Sequence, residues 1–334
     1  MSELQQYNRF KERIFSIESD QAFNDLSLEI FYWQYANNSI YQQFCRLVHR
    51  TPDVVCHAED IPFLPIRLFK EQKIITEYGV EPVHFFQSSG TSGMNRSRHY
   101  LTDIDLYLKS FVRGFELSHG SPVNYVILAL LPGYLEQPNS SLVYMMRKLI
   151  ELSGKETGGF FLDDIAGLYN ILKFTAGRAE KTILLGVTYA LIDFASHYQL
   201  THPSLTVIET GGMKGRKEEL LREDVHRQLS SAFDLKTIGS EYGMTELMSQ
   251  SWSQGEGIFV PPPWKRVVAV DINDPLSILS PGKSGALGII DLANLGSCCF
   301  VGTLDIGCVF SDGSFEVLGR LDHSDIRGCS LLLL

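Results

Sequence analysis

The chain has 334 residues, of which 44% are hydrophobic and 20% are charged, and this composition excludes collagen-like, coiled-coil and disordered proteins. Its formal net charge of -10 argues against a nucleic-acid partner, because sequence-independent binding needs clustered Lys and Arg facing phosphates. It has no apolar run near the roughly 20 residues of a spanning helix and no secretory signal. Its six cysteines are expected to be reduced thiols, so we predict a cytoplasmic protein without a membrane span.

The first hundred residues contain a helical pattern, a break and a polar loop. Apolar residues recur at helical spacing over residues 25–50. The Pro-rich segment at residues 61–69 predicts an extended connector, because proline breaks helices. A short apolar run, a Gly/Ser/Thr loop and a basic cluster then follow over residues 84–100.

Strands and helices alternate through the middle of the chain. We predict strands at residues 125–131, 182–185 and 205–209, and helices near residues 141–152, 164–174, 189–198 and 216–233. This alternation predicts a parallel sheet with helices on its faces. From about residue 266, short β-like runs split by Gly, Pro and Asp predict a small antiparallel β subdomain, in which residues 311–314 (SDGS) indicate a hairpin turn.

A hydroxyl-rich and glycine-rich loop is the first candidate ligand site; it consists of Ser88, Ser89, Gly90, Thr91, Ser92 and Gly93. Glycines let the backbone approach an anion, and N–H groups and hydroxyls donate to phosphate oxygens. The basic residues that follow, Arg96, Arg98 and His99, can neutralise charge. Taken alone, the segment fits a flexible Ser/Gly turn as well as a phosphate loop. It is not a Walker loop, because no Gly-Lys-Ser/Thr closes it, and the later Gly282-Lys283-Ser284 is expected to be a turn.

Read in order, this loop and three later segments resemble the motifs of adenylate-forming enzymes. The later segments are Gly211-Gly212-Met213, similar to an adenine-side glycine segment; Tyr242-Gly243-Met244-Thr245-Glu246, similar to a Tyr-Gly-x-Thr-Glu motif; and Thr303-Leu304-Asp305 with Gly319-Arg320-Leu321-Asp322, similar to a Thr-Gly-Asp loop and a Gly-Arg-x-Asp hinge. Within that superfamily the chain most resembles acyl-protein synthetases of the LuxE type. The narrower resemblance lies in residues 64–70, in the SSGTSG form of the loop and in the ending at residues 326–331.

The resemblance implies an α/β protein with the large-domain fold of adenylate-forming enzymes, lacking the usual C-terminal domain. Residues 1–320 would form the core, with residues 1–264 as two helix-flanked sheet subdomains and residues 265–320 as a small β subdomain. Residues 321–334 would form a hinge and a C-terminal stub. The lysine that ordinary acyl-CoA ligases carry in the missing domain has no counterpart here, and Arg98, His99 or Lys214 is expected to supply its positive charge.

The implied chemistry is attack by a carboxylate on the α-phosphate of ATP, which releases pyrophosphate. Such a site must hold two anions together and bind Mg2+. Thr91 and its neighbours would cradle the phosphates, Thr245 would donate to phosphate, and Glu246 would be the metal ligand, because Mg2+ prefers hard carboxylate oxygens.

The remaining implied contacts are with the nucleoside. Tyr242 would lie along the adenine. Asp305 would accept hydrogen bonds from the ribose diol, and Arg320 would assist at ribose or phosphate. Without the resemblance, Tyr242 fits a core residue at a strand end, and Asp305 fits a turn former.

Cys329 differs from the other cysteines in its polar, Gly-flanked surroundings beside Arg327, whose charge favours the thiolate. In the resembling family a cysteine near the C-terminus accepts the acyl group. We therefore predict that a carboxylic acid, expected to be a fatty acid, is activated as acyl-AMP and that its acyl group passes to Cys329. The acyl group would then pass to an acyl-accepting protein such as a reductase or carrier. An inert terminal cysteine is the alternative. Rival functions are a ligase that passes acyl groups directly to CoA or a carrier protein, and a catalytically dead nucleotide-binding scaffold. The other cysteines are expected in the core: Cys45, Cys56, Cys298, Cys299 and Cys308.

Overall fold

The computed structural model describes residues 2–89, 96–133, 137–211 and 221–321 and divides into two compact units. The first unit comprises residues 1–110 and 245–249 and the chain from residue 260 onward, and the second comprises residues 111–244 and 250–259. The predicted subdomain boundary at residue 264 and the predicted hinge after residue 320 stay predictions. Across the described ranges, none of the helices has the length and apolar character needed to cross a bilayer.

Three helices open the first unit: α1 (Glu3–Arg13), α2 (Asp20–Asn37) and α3 (Ser39–Leu47). The helical pattern predicted over residues 25–50 is confirmed, with a break at Asn38. That residue ends α2 and caps α3, because its side chain accepts from the backbone N–H of Tyr41. Helix α1 was not predicted; it begins at a capping box formed by Ser2 and Gln5.

The connector that follows is only partly extended. It forms the short strand β1 (Leu64–Pro65) and then the single-turn helix α4 (Leu68–Glu71), so the extended prediction holds for its first half. The strands β2 (His84–Gln87) and β3 (Arg98–Leu101) pair in antiparallel register and enclose the candidate phosphate loop. Helix α5 (Ile104–His119), which was not predicted, comes next.

The second unit is built on a mostly parallel sheet. Its elements after α5 are β4 (Val126–Leu130), α6 (Ser141–Ser153), β5 (Gly159–Phe161), α7 (Ile165–Gly177), β6 (Thr182–Val187), α8 (Thr188–His197), β7 (Leu205–Thr210), α9 (Arg222–Phe233), β8 (Gly239–Tyr242), β9 (Ser251–Ser253) and β10 (Ile258–Phe259). The strand order is β5-β4-β6-β7-β8-β9, and only β9 runs antiparallel to its neighbour. Every residue of β4 and β6 is buried, as expected for parallel strands covered on both faces. The predicted parallel sheet is confirmed.

The chain then returns to the first unit as an antiparallel meander of β11 (Lys265–Val270), β12 (Ser284–Asp291), β13 (Phe300–Val309) and β14 (Phe315–Arg320). Strand β1 pairs in parallel with β13. Gly313 has a φ of +83° in the turn between β13 and β14, a conformation that glycine adopts without strain. Both the antiparallel sheet and its SDGS hairpin turn are therefore confirmed, as is the turn at Gly282.

Aromatic side chains of the N-terminal helices pack onto this antiparallel sheet. The ring of Phe300 lies 6.2 Å from Phe31 and 5.8 Å from Tyr41, measured between ring centroids. All three rings are fully buried, so the helices and the sheet share one core. The predicted burial of cysteines is confirmed for Cys45, Cys298, Cys299 and Cys308, whereas Cys56 is exposed and its expected place in the core was wrong.

Candidate active site

Glu246 lies on a turn whose backbone is held by buried polar side chains of the first unit. Asp291, at the end of β12, accepts from the backbone N–H groups of Met248 (2.8 Å) and Ser249 (2.9 Å). Its other oxygen accepts from the Ser249 hydroxyl at 2.6 Å. Lys265 donates its ammonium to the Ser249 carbonyl at 2.9 Å and is only 3% exposed. These bonds explain why residues 245–249 belong to the first unit although both flanking segments belong to the second.

Two further buried side chains bind the carbonyl groups on either side of the Glu246 Cα atom. His99 Nδ1 lies 2.9 Å from the carbonyl oxygen of Thr245, and His99 Nε2 lies 2.8 Å from Asn294 Oδ1. Asn294 donates through Nδ2 to the carbonyl of Glu246 at 2.8 Å. Burial lowers the pKa of His99 below its ordinary value, although its two hydrogen bonds oppose that shift. A neutral, enclosed His99 does not favour the positive charge that the sequence suggested for it.

The Glu246 carboxyl itself is buried, with 6% of the residue exposed. Burial raises its pKa above the ordinary value, while the nearby Ser97 hydroxyl and the charges of Arg320 and Lys70 act in the opposite direction. Ser97 Oγ is also buried, yet it makes no hydrogen bond of ordinary geometry to any residue that the structure describes. A buried carboxylate and an unpaired hydroxyl are groups that a hard cation with its phosphate ligands would satisfy. The residues present therefore fit Mg2+.

The hydroxyl-rich loop is closed at its base by Ser88 and Ser97. The backbone N–H of Ser88 donates to the Ser97 carbonyl, and the backbone N–H of Ser97 donates to Ser88 Oγ, both at 3.1 Å. Ser89 is exposed. The loop therefore lies between two paired strands in the chain; Gly90, Thr91, Ser92 and Gly93 lie outside the described residues.

Arg98 and His99 are neighbours in β3 but have opposite surroundings. Because successive side chains of a strand point to opposite faces, His99 is enclosed while Arg98 is exposed. The Arg98 guanidinium lies 5.7 Å from the centroid of the Phe85 ring. Of these two suggested cations, Arg98 is therefore the one on the surface; Lys214 lies outside the described residues.

Asp305 and Arg320 face each other across β13 and β14. They are register partners, and Arg320 Nε lies 3.8 Å from Asp305 Oδ1. The Asp305 backbone N–H donates to Thr303 Oγ1 at 3.1 Å, and that hydroxyl donates to the carbonyl of Leu287 at 2.9 Å. Asp305 lies inside a strand, so the alternative that it merely forms a turn was wrong, and the Thr-Leu-Asp segment is not a loop. A half-buried carboxylate beside an exposed guanidinium suits a polar, anionic ligand.

In the second unit, the candidate nucleoside residues follow the carboxyl ends of β7 and β8. Ligands of open parallel sheets bind at this edge. Gly211 follows β7 with a φ of +79°, and Tyr242 ends β8 with 9% exposure and its ring centroid 5.7 Å from that of Phe259. A Cβ atom on Gly243 would lie 2.3 Å from Glu241 Oε1, so a larger residue at this position would have to displace the Glu241 carboxylate. Gly212 and Met213 lie outside the described residues.

Glu209, at the end of β7, is a buried acidic residue that the sequence analysis did not single out. It accepts from Thr188 Oγ1 at 2.7 Å, and Arg222 Nε and His226 Nε2 lie 3.6 and 3.8 Å from its other oxygen. Burial raises its pKa, but the nearby His226 ring, the hydrogen bond from Thr188 and the charge of Arg222 outweigh burial, and the net pKa is lowered. An acidic residue that interrupts an apolar strand was the available sequence signal.

The cysteines that the structure describes differ in their suitability as nucleophiles. Burial raises the pKa of the Cys45 thiol to about 12 and also raises the pKa values of Cys298 and Cys299. Thiols that resist ionisation are poor nucleophiles. Cys56 is exposed, and Cys329 lies outside the described residues.

The family model for acyl-protein synthetase, LuxE, matches residues 12–334. The chain belongs to this family. Two long-chain-fatty-acid–luciferin-component ligases are similar to this acyl-protein synthetase over almost its whole length. The Vibrio harveyi protein is 28% identical over 345 residues, which cover 94% of this chain and 88% of the relative. The Aliivibrio fischeri protein is 25% identical over 348 residues, which cover 96% of this chain and 90% of the relative.

Solved structures support the fold of this acyl-protein synthetase. A 2-hydroxyisobutyryl-CoA ligase bound to 2-HIB-AMP and CoA superposes with a TM-score of 0.64 at 11% identity, covering 93% of this chain and 73% of the ligase. ATP-bound MatB from Rhodopseudomonas palustris gives a TM-score of 0.52 at 17% identity, covering 74% of this chain. The matched region covers 49% of MatB, so the chain spans about half the length of that protein. The predicted adenylate-forming α/β fold is confirmed.

Family membership also confirms the predicted class of activity. The chain is an enzyme of the ligase class, and its two named relatives are also ligases. The rival prediction of a catalytically dead scaffold is not supported by this assignment.

Proposed function

We propose that this acyl-protein synthetase uses ATP and Mg2+ to convert a fatty acid into acyl-AMP, and then transfers the acyl group through Cys329 to a partner protein. The observation that carries the proposal is the buried Glu246 carboxylate beside the buried Ser97 hydroxyl, which has no hydrogen bond of ordinary geometry to a described residue. The names of the Vibrio harveyi and Aliivibrio fischeri relatives, which specify long-chain fatty acids, support a fatty acid as substrate. A cytoplasmic location stays a prediction of the sequence.

In the first step a carboxylate oxygen of the acid attacks the α-phosphorus of ATP, and the bond to the pyrophosphate oxygen breaks. Glu246 would hold the metal ion, which, when bound, supplies positive charge to the phosphate oxygens. Thr245 would donate its hydroxyl to phosphate. Arg98, on the exposed face of β3, would attract the triphosphate together with the loop from Ser88 to Gly93.

The remaining site residues are proposed to contact the nucleoside. Asp305 would accept from the ribose hydroxyls, and Arg320 would shift from its long contact with Asp305 toward ribose or phosphate. The exposed Arg320 side chain supports that role, because it is 67% accessible and can reorient. Tyr242, Gly243 and the segment Gly211-Gly212-Met213 would line the adenine.

In the second step the Cys329 thiolate attacks the acyl carbonyl carbon, and the bond to the AMP oxygen breaks. A thioester forms and AMP leaves. A nucleophile on the partner, a reductase or an acyl carrier, then displaces Cys329. The raised pKa values of three buried thiols support assigning this role to a cysteine elsewhere in the chain. CoA is the alternative acceptor.

Acid-dependent exchange of labelled pyrophosphate into ATP tests the first step. Glu246→Gln should fold and lose most of the exchange, because an amide oxygen is a poor Mg2+ ligand. Glu12→Gln is the matched control, since Glu12 is an exposed glutamate of α1. Near-normal exchange in Glu246→Gln would remove Glu246 from the mechanism.

Mass spectrometry after incubation with ATP and a fatty acid tests the second step. Cys329→Ser should keep pyrophosphate exchange and lose the stable, hydroxylamine-labile acyl adduct, because a serine hydroxyl is a poor nucleophile without an activating base. Cys56→Ser, which removes the exposed cysteine among the described residues, should keep both. An adduct on another cysteine, or active exchange with none on the wild type, would favour direct transfer to CoA or a carrier.

A further inference from the structure

The turn that carries Glu246 is held at two successive carbonyl groups. The Thr245 carbonyl contacts His99, and the Glu246 carbonyl accepts from Asn294. We propose that Asn294, assisted by His99, is a positioning residue for adenylation that fixes the direction in which Glu246 presents its carboxylate. This inference rests on the metal-ligand role proposed above for Glu246.

The geometric reason is the planarity of the peptide bond. Each peptide unit is a rigid plane, and only φ and ψ of Glu246 join the plane before its Cα atom to the plane after it. One held oxygen restrains one plane. Asn294 holds the plane after the Cα atom, and His99 holds the plane before it when its proton is on Nδ1; both dihedrals are then restrained, and with them the direction of the Cα–Cβ bond. The carboxylate is then left with its side-chain torsions alone.

The support behind Asn294 is itself rigid. Asn294 and His99 are 1% and 0% exposed. The backbone N–H of Asn294 donates to the Asp291 carbonyl at 2.9 Å, and its own carbonyl accepts from Gln34 Nε2 at 3.2 Å. Thr76 fixes the far end of the same segment by donating to the carbonyl of Ser297 at 2.6 Å. A buried, anchored amide can transmit orientation to the residue that it binds.

Of the two contacts that hold the turn, the hydrogen bond from Asn294 to the Glu246 carbonyl is stronger than the contact of His99 with the Thr245 carbonyl, because its donor is fixed. Because Asn294 donates through Nδ2 to Glu246, its Oδ1 must face His99, so both ring nitrogens of His99 face acceptor oxygens. A neutral imidazole has one N–H and can donate to only one of them. The bond from Asn294 to Glu246 does not depend on which nitrogen of His99 carries the proton.

The Mg2+ dependence of pyrophosphate exchange tests the proposal. Residues that orient metal ligands typically change metal affinity or activity about 10- to 100-fold when replaced. We expect Asn294→Ala to lower exchange by about that factor at limiting Mg2+, to raise the half-saturating Mg2+ concentration, and to recover in part at high Mg2+. His99→Phe should show the same changes to a smaller extent.

Thr76→Val is the matched control, because it removes a buried hydrogen bond to the same segment but touches neither carbonyl beside Glu246. It should lower the melting temperature and leave the Mg2+ dependence unchanged. An equal shift of the half-saturating Mg2+ in Thr76→Val would show that Asn294 acts only through stability. If Asn294→Ala does not fold, Asn294→Ser, which leaves a smaller cavity, takes its place. A raised half-saturating Mg2+ concentration in Asn294→Ser would then support the positioning role, and an unchanged one would overturn it.

The two proposals fail separately. Near-normal exchange in Glu246→Gln would overturn the metal-ligand role and, with it, the positioning role. If Glu246→Gln is inactive while folded Asn294→Ala keeps the wild-type Mg2+ dependence, the positioning role alone is overturned.

Discussion

Replacing Asp305 with alanine separates nucleotide binding from stability. In the protein without ligand, Asp305 pairs with a 67% exposed Arg320 at 3.8 Å, and such a pair adds about 0–1 kcal/mol to the free energy of unfolding. Hydrogen bonds from the ribose diol to a carboxylate would add about 1.5–3 kcal/mol to binding. At about 1.4 kcal/mol for each tenfold change, Asp305→Ala should raise the ATP Kd about 10- to 150-fold. The melting temperature should change little.

Isothermal titration calorimetry with ATP and Mg2+ measures this change. Asp312→Ala is the control, because Asp312 is an exposed aspartate in the turn of the same hairpin, and its Kd should equal that of the wild type. An unchanged Kd in Asp305→Ala would refute the ribose role. A large fall in melting temperature with little change in Kd would instead show that Asp305 supports the packing of β13 and β14.

Glu246→Gln should raise the melting temperature of the ligand-free protein at neutral pH, because burial raises the pKa of Glu246 and the fold therefore disfavours its ionised form. This gain in melting temperature should vanish at pH values low enough to protonate Glu246. Gly243→Ala should lower exchange, because its Cβ atom would displace Glu241, and urea unfolding should show a loss of about 1–3 kcal/mol from the broken Thr210–Glu241 hydrogen bond.

The sequence predicts the second unit well because its strands have strong local signals. Strands β4 and β6 are buried on both faces, so they appear as continuous apolar runs that a residue pattern identifies to within one or two residues. Helix α1 gives no such signal. Its buried residues Tyr7 and Phe10 pack against rings distant in sequence, and the Tyr7 ring stacks on Tyr78 at 4.2 Å. Partners 71 positions apart cannot be inferred from local periodicity.

The candidate site likewise contains one residue that local sequence identifies and two that only tertiary contacts identify. Glu246 belongs to a contiguous motif and is therefore found by its neighbours in sequence. Asn294 and His99 are 48 and 147 positions away from it along the chain, and their roles arise only when β3 and the segment after β12 meet the turn. In sequence Asn294 resembles an ordinary turn residue. Its hydrogen-bond partner, and hence its role, is a property of the tertiary structure.

Two buried carboxylates close to this turn have contrasting surroundings, and the contrast indicates which of them meets a ligand. Asp291 accepts four hydrogen bonds, from the backbone N–H groups of Met248, Ser249 and Ala293 and from the Ser249 hydroxyl. Its acceptor capacity is used by the protein, so its role is to shape the turn. Among the described residues, the Glu246 carboxylate has Ser97 and its own backbone N–H as donors and the charges of Arg320 and Lys70 nearby, yet burial still raises its pKa. A carboxylate that the fold buries without matching donors gains most from a cation, so we expect the proposed metal ion at Glu246 rather than at Asp291.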